Sequence, residues 1–454
     1  MTTEDTAVDP EIETALSWFL AFVDHEEWVR RKDAIESYLE TVVVPRQRAE
    51  TSRELERIVF DEDPMGWYLY LVEMALHARY KAEPSQGARV LPIFKRLGGD
   101  LDRLVKIRGV EEKARRLVSI DCRDPDSRLF EMLVALLWSR NDWPTVEFIN
   151  EAPPEKRPDI RATSNSEEWY IECKRLTKTS DYSLWERKKW LRMWRYLSDI
   201  LVQQSLPYVL DIIFHVELEA LPDEFLRDAL GGKLQLIQPP CTVISNEICT
   251  VSVRRVDLEA AHSHLKKYCV KYPSDQLNEL IGGHRDPNRG FTSVVWGRYV
   301  RIGEGRGNNY FLDSLGFAAG AFWHCDAERA IERKARDIRT RLADAIEQLP
   351  ENGQCVIHVG LETYDGWPVE AERYSRITNT VFSFDTKSKD VRWVYCHLYQ
   401  SYSPPDRDWV VDETIYHFTN HESLRNEPLR HRATLIPKGE ESIEGGVHWL
   451  RESP

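Results

Sequence analysis

Over the first hundred positions, apolar residues recur at intervals of three and four. Leu16, Phe19, Leu20 and Val23 form one such set, and Trp67, Tyr68, Leu71 and Met74 another. That spacing lines one face of a helix, so helices are expected from about 10 to 118. Breaks are expected at Glu83-Pro84-Ser85-Gln86-Gly87 and at Gly98-Gly99. The pattern then changes. Asp124-Pro125 reads as an N-cap with proline at the first helical position, opening a helix that runs to about Arg140. Residues 145–150 alternate and are rich in β-formers, 159–163 form a second short strand, and 169–175 a third after the turn Ser164-Asn165-Ser166. A basic helix over 184–204 and an apolar strand over 208–216 complete the order α-β-β-β-α-β.

Beyond this point the pattern is less regular. Residues 242–256 alternate as strands do, while Gly282-Gly283 and Gly303 to Gly307 mark loops. A helix is expected over 327–349, an apolar strand over 354–361 added to the same sheet, and strands over 381–384 and 391–398. The expected division is an α-helical domain (1–118), a mixed α/β core (119–231), a β-containing insertion (232–326), a continuation of the core sheet (327–400) and a tail (401–454). The helical domain carries no recognisable chemistry in its sequence.

Composition narrows the class. The chain has 454 residues, 42% hydrophobic and 30% charged, as expected of two or three globular domains. No apolar run is long enough to span a membrane, and the acidic, polar start (Met1 to Pro10) is unlike a secretory signal. Eight scattered cysteines without a C-x-x-C pair point to reduced structural thiols in a cytoplasmic protein, not to a zinc site. The net charge of −14 bears on long-range repulsion, whereas nucleic-acid binding depends on local clusters. Eight bases stand against two acids between Lys174 and Arg195, and six against two between Arg329 and Arg341.

The chemistry concentrates in residues 158–174. Pro158-Asp159 is followed by Glu172-Cys173-Lys174. A strand has a side-chain period of two, so Glu172 and Lys174 share one face while Trp169, Ile171 and Cys173 take the other. Asp159, on the neighbouring strand, can reach the same point. Two carboxylates and a backbone carbonyl suffice for Mg²⁺, and Mn²⁺ fits the same donors. Asp159, Glu172 and the carbonyl of Cys173 are the expected ligands. Lys174 would serve the attacking water, and Glu131, flanked by apolar residues on the preceding helix, would assist.

The residues Pro158-Asp159 and Glu172-Cys173-Lys174, with Glu131 upstream and the order α-β-β-β-α-β around them, resemble the PD-(D/E)XK nucleases of the restriction-endonuclease-like fold. The resemblance covers about 120–220, extended by 327–362. It implies a Mg²⁺-dependent endonuclease leaving a 5′-phosphate, usually on DNA, with restriction or antiviral defence among the uses of such enzymes. On this reading Lys178, Arg187, Lys188, Lys189, Arg192 and Arg195 contact backbone phosphates, while Trp185, Trp190 and Trp194 face the sheet. Two sites acting on two strands would make a homodimer, and the N-terminal helices could bind a partner protein.

Two other readings stand beside it. One is a nuclease fold that binds nucleic acid or acts as a scaffold without cleaving. The other is a metal-independent ribonuclease using Arg425 and His431, which Pro428 disfavours because that motif needs a helix. Gly303-Glu304-Gly305-Arg306-Gly307-Asn308 lacks the Lys-Ser/Thr of a P-loop and reads as a flexible loop. His262 and His264 read as surface histidines.

Overall fold

A computed structural model describes residues 8–43, 45, 58–150, 155–164, 167–176, 180–284, 286, 289–403, 409–419 and 427–437. The chain opens with helices α1 (Pro10–Leu20), α2 (His25–Val42), α3 (Pro64–His77), α4 (Pro84–Gly99), α5 (Leu101–Leu104) and α6 (Val110–Val118). Acid-proline pairs start three of them. Asp9, Asp63 and Glu83 cap α1, α3 and α4, each followed by a proline that costs the first turn no hydrogen bond. Arg31 locks α2 to the start of α3 through a buried two-point pair with Asp63, at 2.6 and 2.7 Å.

Next come α7 (Pro125–Arg140), β1 (Thr145–Phe148), β2 (Ile160–Thr163) and β3 (Glu168–Leu176), all close to their expected places. These three strands form an antiparallel meander. The helix α8 (Asp181–Gln203) then leads away into a second unit. There β4 (Tyr208–Phe214), α9 (Phe225–Leu230), β5 (Cys241–Ser245), β6 (Cys249–Arg255), α10 (Leu258–Leu265), β7 (Val270–Lys271), α11 (Asp275–Gly282), β8 (Gly290–Arg301), β9 (Tyr310–Cys325) and α12 (Glu328–Lys334) follow. The chain returns through α13 (Arg339–Gln348), β10 (Gln354–Glu362), α14 (Trp367–Ser383), β11 (Val391–Tyr402) and β12 (Val410–Phe418).

Two mixed sheets result. The first has the order β1-β2-β3-β10-β11-β12, with β10 parallel to both β3 and β11. The second has the order β5-β6-β4-β9-β7, with β8 paired to β9. The strand expected over 208–216 therefore belongs to the second sheet. The fourth strand of the first sheet is β10, which the sequence order had placed as an addition. An apolar run such as 354–361 is what a central strand covered on both faces requires, and β10 is buried along its middle seven residues.

Packing also moves the expected domain boundaries. Helices α1–α7 share one continuous core with Ile160, Trp169, Ile171, Val356, Trp393 and Tyr395 of the first sheet, so no break in packing falls at 118. The opposite face of that sheet is covered by α13 and α14 through Leu342, Ala345, Ile346, Ile377 and Val381. The break that matters lies between β3 and α8, not at 231, because Trp190 and Trp194 of α8 are buried against β4 and β9. Residues 381–384, expected as a strand, end α14 and its C-cap. The helix expected over 327–349 is two helices. Between them Ile338 is buried and Asp337 accepts a hydrogen bond from Thr380 Oγ1 at 2.7 Å. β12 lies in the stretch expected as tail, its alternation obscured by Asp412 and Glu413.

Candidate active site

The site forms where the short strand β2 begins beside the longer β3. Ile160 pairs with Ile171, so Asp159, one step earlier, comes opposite Glu172. Asp159 Oδ2 accepts a hydrogen bond from the Cys173 N–H at 2.8 Å. In an extended strand the carbonyl points the same way as the N–H of its residue, so the Cys173 carbonyl faces the same gap. The charge of Asp159 acts on Glu172 across this gap.

Glu172 is fully buried, as its place on an inner strand dictates. Lys174 Nζ donates to its Oε1 at 2.5 Å. Gln348, the last residue of α13, bridges the pair: its amide nitrogen donates to Glu172 Oε1 at 2.9 Å and its oxygen accepts from Lys174 Nζ at 2.6 Å, an amide orientation set by these partners. Glu172 Oε2 has no partner among the described residues. The cysteine between the two, Cys173, packs with Trp169 and Ile171 in the opposite core, as the period of two requires.

Glu131 reaches the site from α7. Lys113 Nζ of α6 donates to its Oε2 at 2.5 Å. Three carboxylates, Asp159, Glu172 and Glu131, thus face two ammonium groups, Lys174 and Lys113. Burial raises all three carboxyl groups above their ordinary range. Glu131 is pushed up to about 7 by burial and by the charge of Asp159, with Lys113 offsetting part of the rise. Burial and the neighbouring Asp159 likewise hold Glu172 well above the usual carboxylate value. The Cys173 thiol is pushed far up by burial and the same acids, which leaves it no thiolate character.

Glu172 Oε2 is a buried acceptor without a donor among the described residues. Oxygen donors of this kind fit a hard divalent ion held by Asp159, Glu172 and the Cys173 carbonyl. Among the described residues, however, no group of three or more His, Cys, Asp or Glu side chains is arranged to hold a metal. Lys174 already takes one oxygen of Glu172, and the Cys173 N–H takes one of Asp159. The donor set is of the right chemistry but is closed on itself.

Lys113 and Gln348 had no signal in the sequence. Lys113 sits one position before Ala114 on the buried face of an amphipathic helix, in the region expected to carry no chemistry. Gln348 arrives from far downstream because α13 runs back over β3.

The expected phosphate contacts fare differently. Arg187, Lys188, Arg192 and Arg195 are exposed on α8. Lys189 is buried and paired with Asp223, which also takes Arg192 Nε at 3.0 Å. Lys189 is therefore a structural residue, because its side chain lies under the helix with its charge already matched. Lys178 lies outside the described residues. In the second basic run, Lys334 pairs with Glu186 at 2.5 Å and Arg333 with Glu217 and Glu219 at 2.8 and 3.0 Å, so folding neutralises much of that charge.

The other candidates resolve as structure. Arg425 lies outside the described residues. His431 is buried in a segment outside any helix or strand and meets Arg140 Nη2 at 2.8 Å. The glycine-rich loop docks onto the helices: Gly307 N–H donates to Glu40 at 3.1 Å, and Lys81 Nζ stands 3.0 Å from where a Cβ on Gly305 would lie. Behind the site a fully buried relay crosses the first sheet. Trp138 Nε1 donates to His358 at 3.2 Å, His358 meets His397 at 2.9 Å, and His397 meets Glu413 at 3.0 Å. Matching donors to acceptors fixes both imidazoles as neutral tautomers, and burial, with His397 beside it, holds His358 well below its ordinary pKa.

Comparison with protein-family models, with curated proteins and with solved structures finds no match to this chain.

Proposed function

We propose that this chain is a metal-dependent nuclease that hydrolyses phosphodiester bonds, with DNA as substrate. The convergence of Asp159, Glu172 and Lys174 on one buried point beside an unpartnered Glu172 oxygen carries the reading. Chain topology supports it. Taken in order, α7, β1, β2, β3, α13 and β10 follow the order α-β-β-β-α-β that the resemblance to the PD-(D/E)XK nucleases leads one to expect, with the second unit between β3 and α13.

Asp159, Glu172 and the Cys173 carbonyl would hold Mg²⁺ or Mn²⁺; a bound ion of this kind acidifies a coordinated water and stabilises charge on a phosphate. The side chains supply the rest. Lys174, positioned by Glu172 and Gln348, orients the attacking water and offsets negative charge gathering on the phosphate. Glu131, its carboxyl raised by burial and by the charge of Asp159, is placed to take or give a proton beside the site. Lys113 keeps that carboxylate soluble in the interior by balancing its charge.

The test is cleavage of plasmid, single-stranded DNA and RNA with Mg²⁺ or Mn²⁺, alongside Glu172→Ala and Lys174→Ala. Metal-dependent cleavage lost in both variants is the expected result. Cleavage indifferent to both would sink the assignment. The 2.5 Å Lys174–Glu172 contact favours a second reading, a nuclease fold that binds nucleic acid without cutting it. Tight, salt-sensitive binding with no cleavage would decide for that reading.

A further inference from the structure

The second sheet carries a hydrogen-bonded chain of three side chains that the nuclease reading does not use. Thr250 Oγ1 lies 2.9 Å from His215 Nε2, and His215 Nδ1 lies 3.0 and 3.1 Å from the two carboxylate oxygens of Asp326. Strand register brings them together. β4 and β9 run parallel with Phe214 beside Cys325, so the next residues, His215 and Asp326, leave the strand ends side by side. β6 runs antiparallel to β4 and sets Thr250 opposite Ile213. Backbone bonds from the His215 N–H to Ile248 and from the Asp326 N–H to Phe214, at 2.9 and 3.0 Å, carry the ladder one step further. Side chains alternate, so Ile213, His215, Thr250 and Asp326 share one face, while Phe214, Cys249 and Cys325 pack into the core with Trp190 and Trp194.

The partners set the direction of this chain. A carboxylate accepts and cannot donate, so the imidazole proton sits on Nδ1 and Nε2 is left as an acceptor. The Thr250 hydroxyl is then the donor, its proton already aimed at a base. The group is open to solvent: the side chains of His215 and Asp326 keep 29 and 44% of their surface exposed. The C-terminal ends of neighbouring parallel strands are also a common seat for ligands.

We propose that Thr250, His215 and Asp326 form a second active site, an acyl-transfer centre for carboxylic esters. Thr250 Oγ1 attacks the ester carbonyl carbon while its proton passes to His215 Nε2. The bond from that carbon to the leaving oxygen breaks, and Nε2 gives the proton to the departing alcohol. Water then attacks the acyl carbon, losing a proton to Nε2. The Thr250 ester bond breaks, the hydroxyl takes that proton back, and the acid leaves. Asp326 is a positioning residue: it holds the Nδ1 proton and so keeps Nε2 turned to the hydroxyl. Ser252 follows two positions along the same face, its Oγ 3.0 Å from Thr242 Oγ1, and offers a hydroxyl donor to the carbonyl oxygen as charge gathers there. Ile213, and Ile248 with 37% of its surface exposed, give the acyl chain apolar contact. None of these residues belongs to the Glu172 site, so this proposal and the nuclease reading fail independently.

The test uses p-nitrophenyl acetate on the full chain. The wild type should release p-nitrophenolate in a burst and carry an acetyl group on Thr250, located by peptide mass spectrometry after an acid quench. Thr250→Ala and His215→Ala should each lower the single-turnover rate by about a hundredfold or more. Thr250→Ser should keep the burst and the acetyl group at position 250. Asp326→Asn should lower kcat by about tenfold or more with KM and circular dichroism unchanged, a split that loss of a mere tie between strand ends does not give. No acetyl group on Thr250 in the wild type, or release indifferent to Thr250→Ala and His215→Ala, overturns the proposal. Should His215→Ala lose its fold, the place of the acetyl group in the wild type and in Thr250→Ser decides.

Discussion

Replacing Lys113 by methionine removes one of the two ammonium groups among the site acids and keeps most of the apolar stem. Its effect should depend on pH in a way that only the Glu131 pairing explains. Folded Glu131 has a pKa of about 7, raised from the ordinary 4.5 by burial and Asp159 despite the help of Lys113. A carboxyl raised on folding favours the folded state while protonated, and that contribution is lost as pH climbs from the unfolded value through the folded one. Without Lys113 the folded pKa rises further. At about pH 8.5 the native state must then either bury an unmatched carboxylate or hold a proton roughly 1.5 units above the wild-type value, an added cost of up to about 2 kcal/mol. At about pH 5.5 Glu131 is protonated in both folded proteins and this difference vanishes. Urea unfolding in EDTA at the two pH values measures it. The destabilisation by Lys113→Met should be larger at pH 8.5 by about 2 kcal/mol. An equal loss at both pH values, or a larger loss at pH 5.5, would refute the pairing argument.

Further outcomes follow from the same geometry. Gln348→Ala should lower the cleavage rate by about tenfold or more with folding intact, since it frees Lys174 from one of its two anchors; single-turnover kinetics read this, and an unchanged rate removes Gln348 from the site. Glu413→Ala strips the acceptor from His397 and from the backbone of Thr434 and Leu435, at 2.9 and 2.8 Å. Each donor left unmatched costs about 1–3 kcal/mol, so denaturant midpoints should fall sharply. Hydrogen bonds hold the Glu413 carboxyl below its ordinary range despite burial, so the stabilisation is present above the ordinary carboxylate pKa and fades as the solution is acidified through the folded value. Gly303→Ala meets a positive φ of 77° and the Tyr80 ring together, and should cost about 1–3 kcal/mol in thermal unfolding.

Much of the local structure was legible. The helix after Asp124-Pro125, the three strands that follow and the alternation of β3 were all readable because each rests on spacing between near neighbours. That alternation separates Glu172 and Lys174 from Trp169, Ile171 and Cys173. Acid-proline pairs and runs of β-formers act within a few residues, so the chain alone carries them. Where a strong local signal was masked, as by Asp412 and Glu413 in β12, the reading failed. The charge of Glu413 is tolerated inside only because His397 and the backbone of Thr434 and Leu435 meet it there.

Partners at long range were a different matter. The strand over 208–216 reads the same whether it joins one sheet or another, and only the burial of α8 against β4 and β9 decides. Lys113 and Gln348 are ordinary polar residues of amphipathic helices until packing brings them beside Glu131 and Glu172. The basic run after Lys174 shows the converse: its charge is plain in the sequence, yet Asp223 and its neighbours take part of it up. By itself, then, the sequence determined which residues share a face, because that follows from backbone geometry over two to four positions. The tertiary structure decided which faces meet, how many cations stand among the three acids and which charges remain for a ligand, because those depend on contacts between residues of different elements, such as Lys113 with Glu131, Lys189 with Asp223 and Gln348 with Glu172.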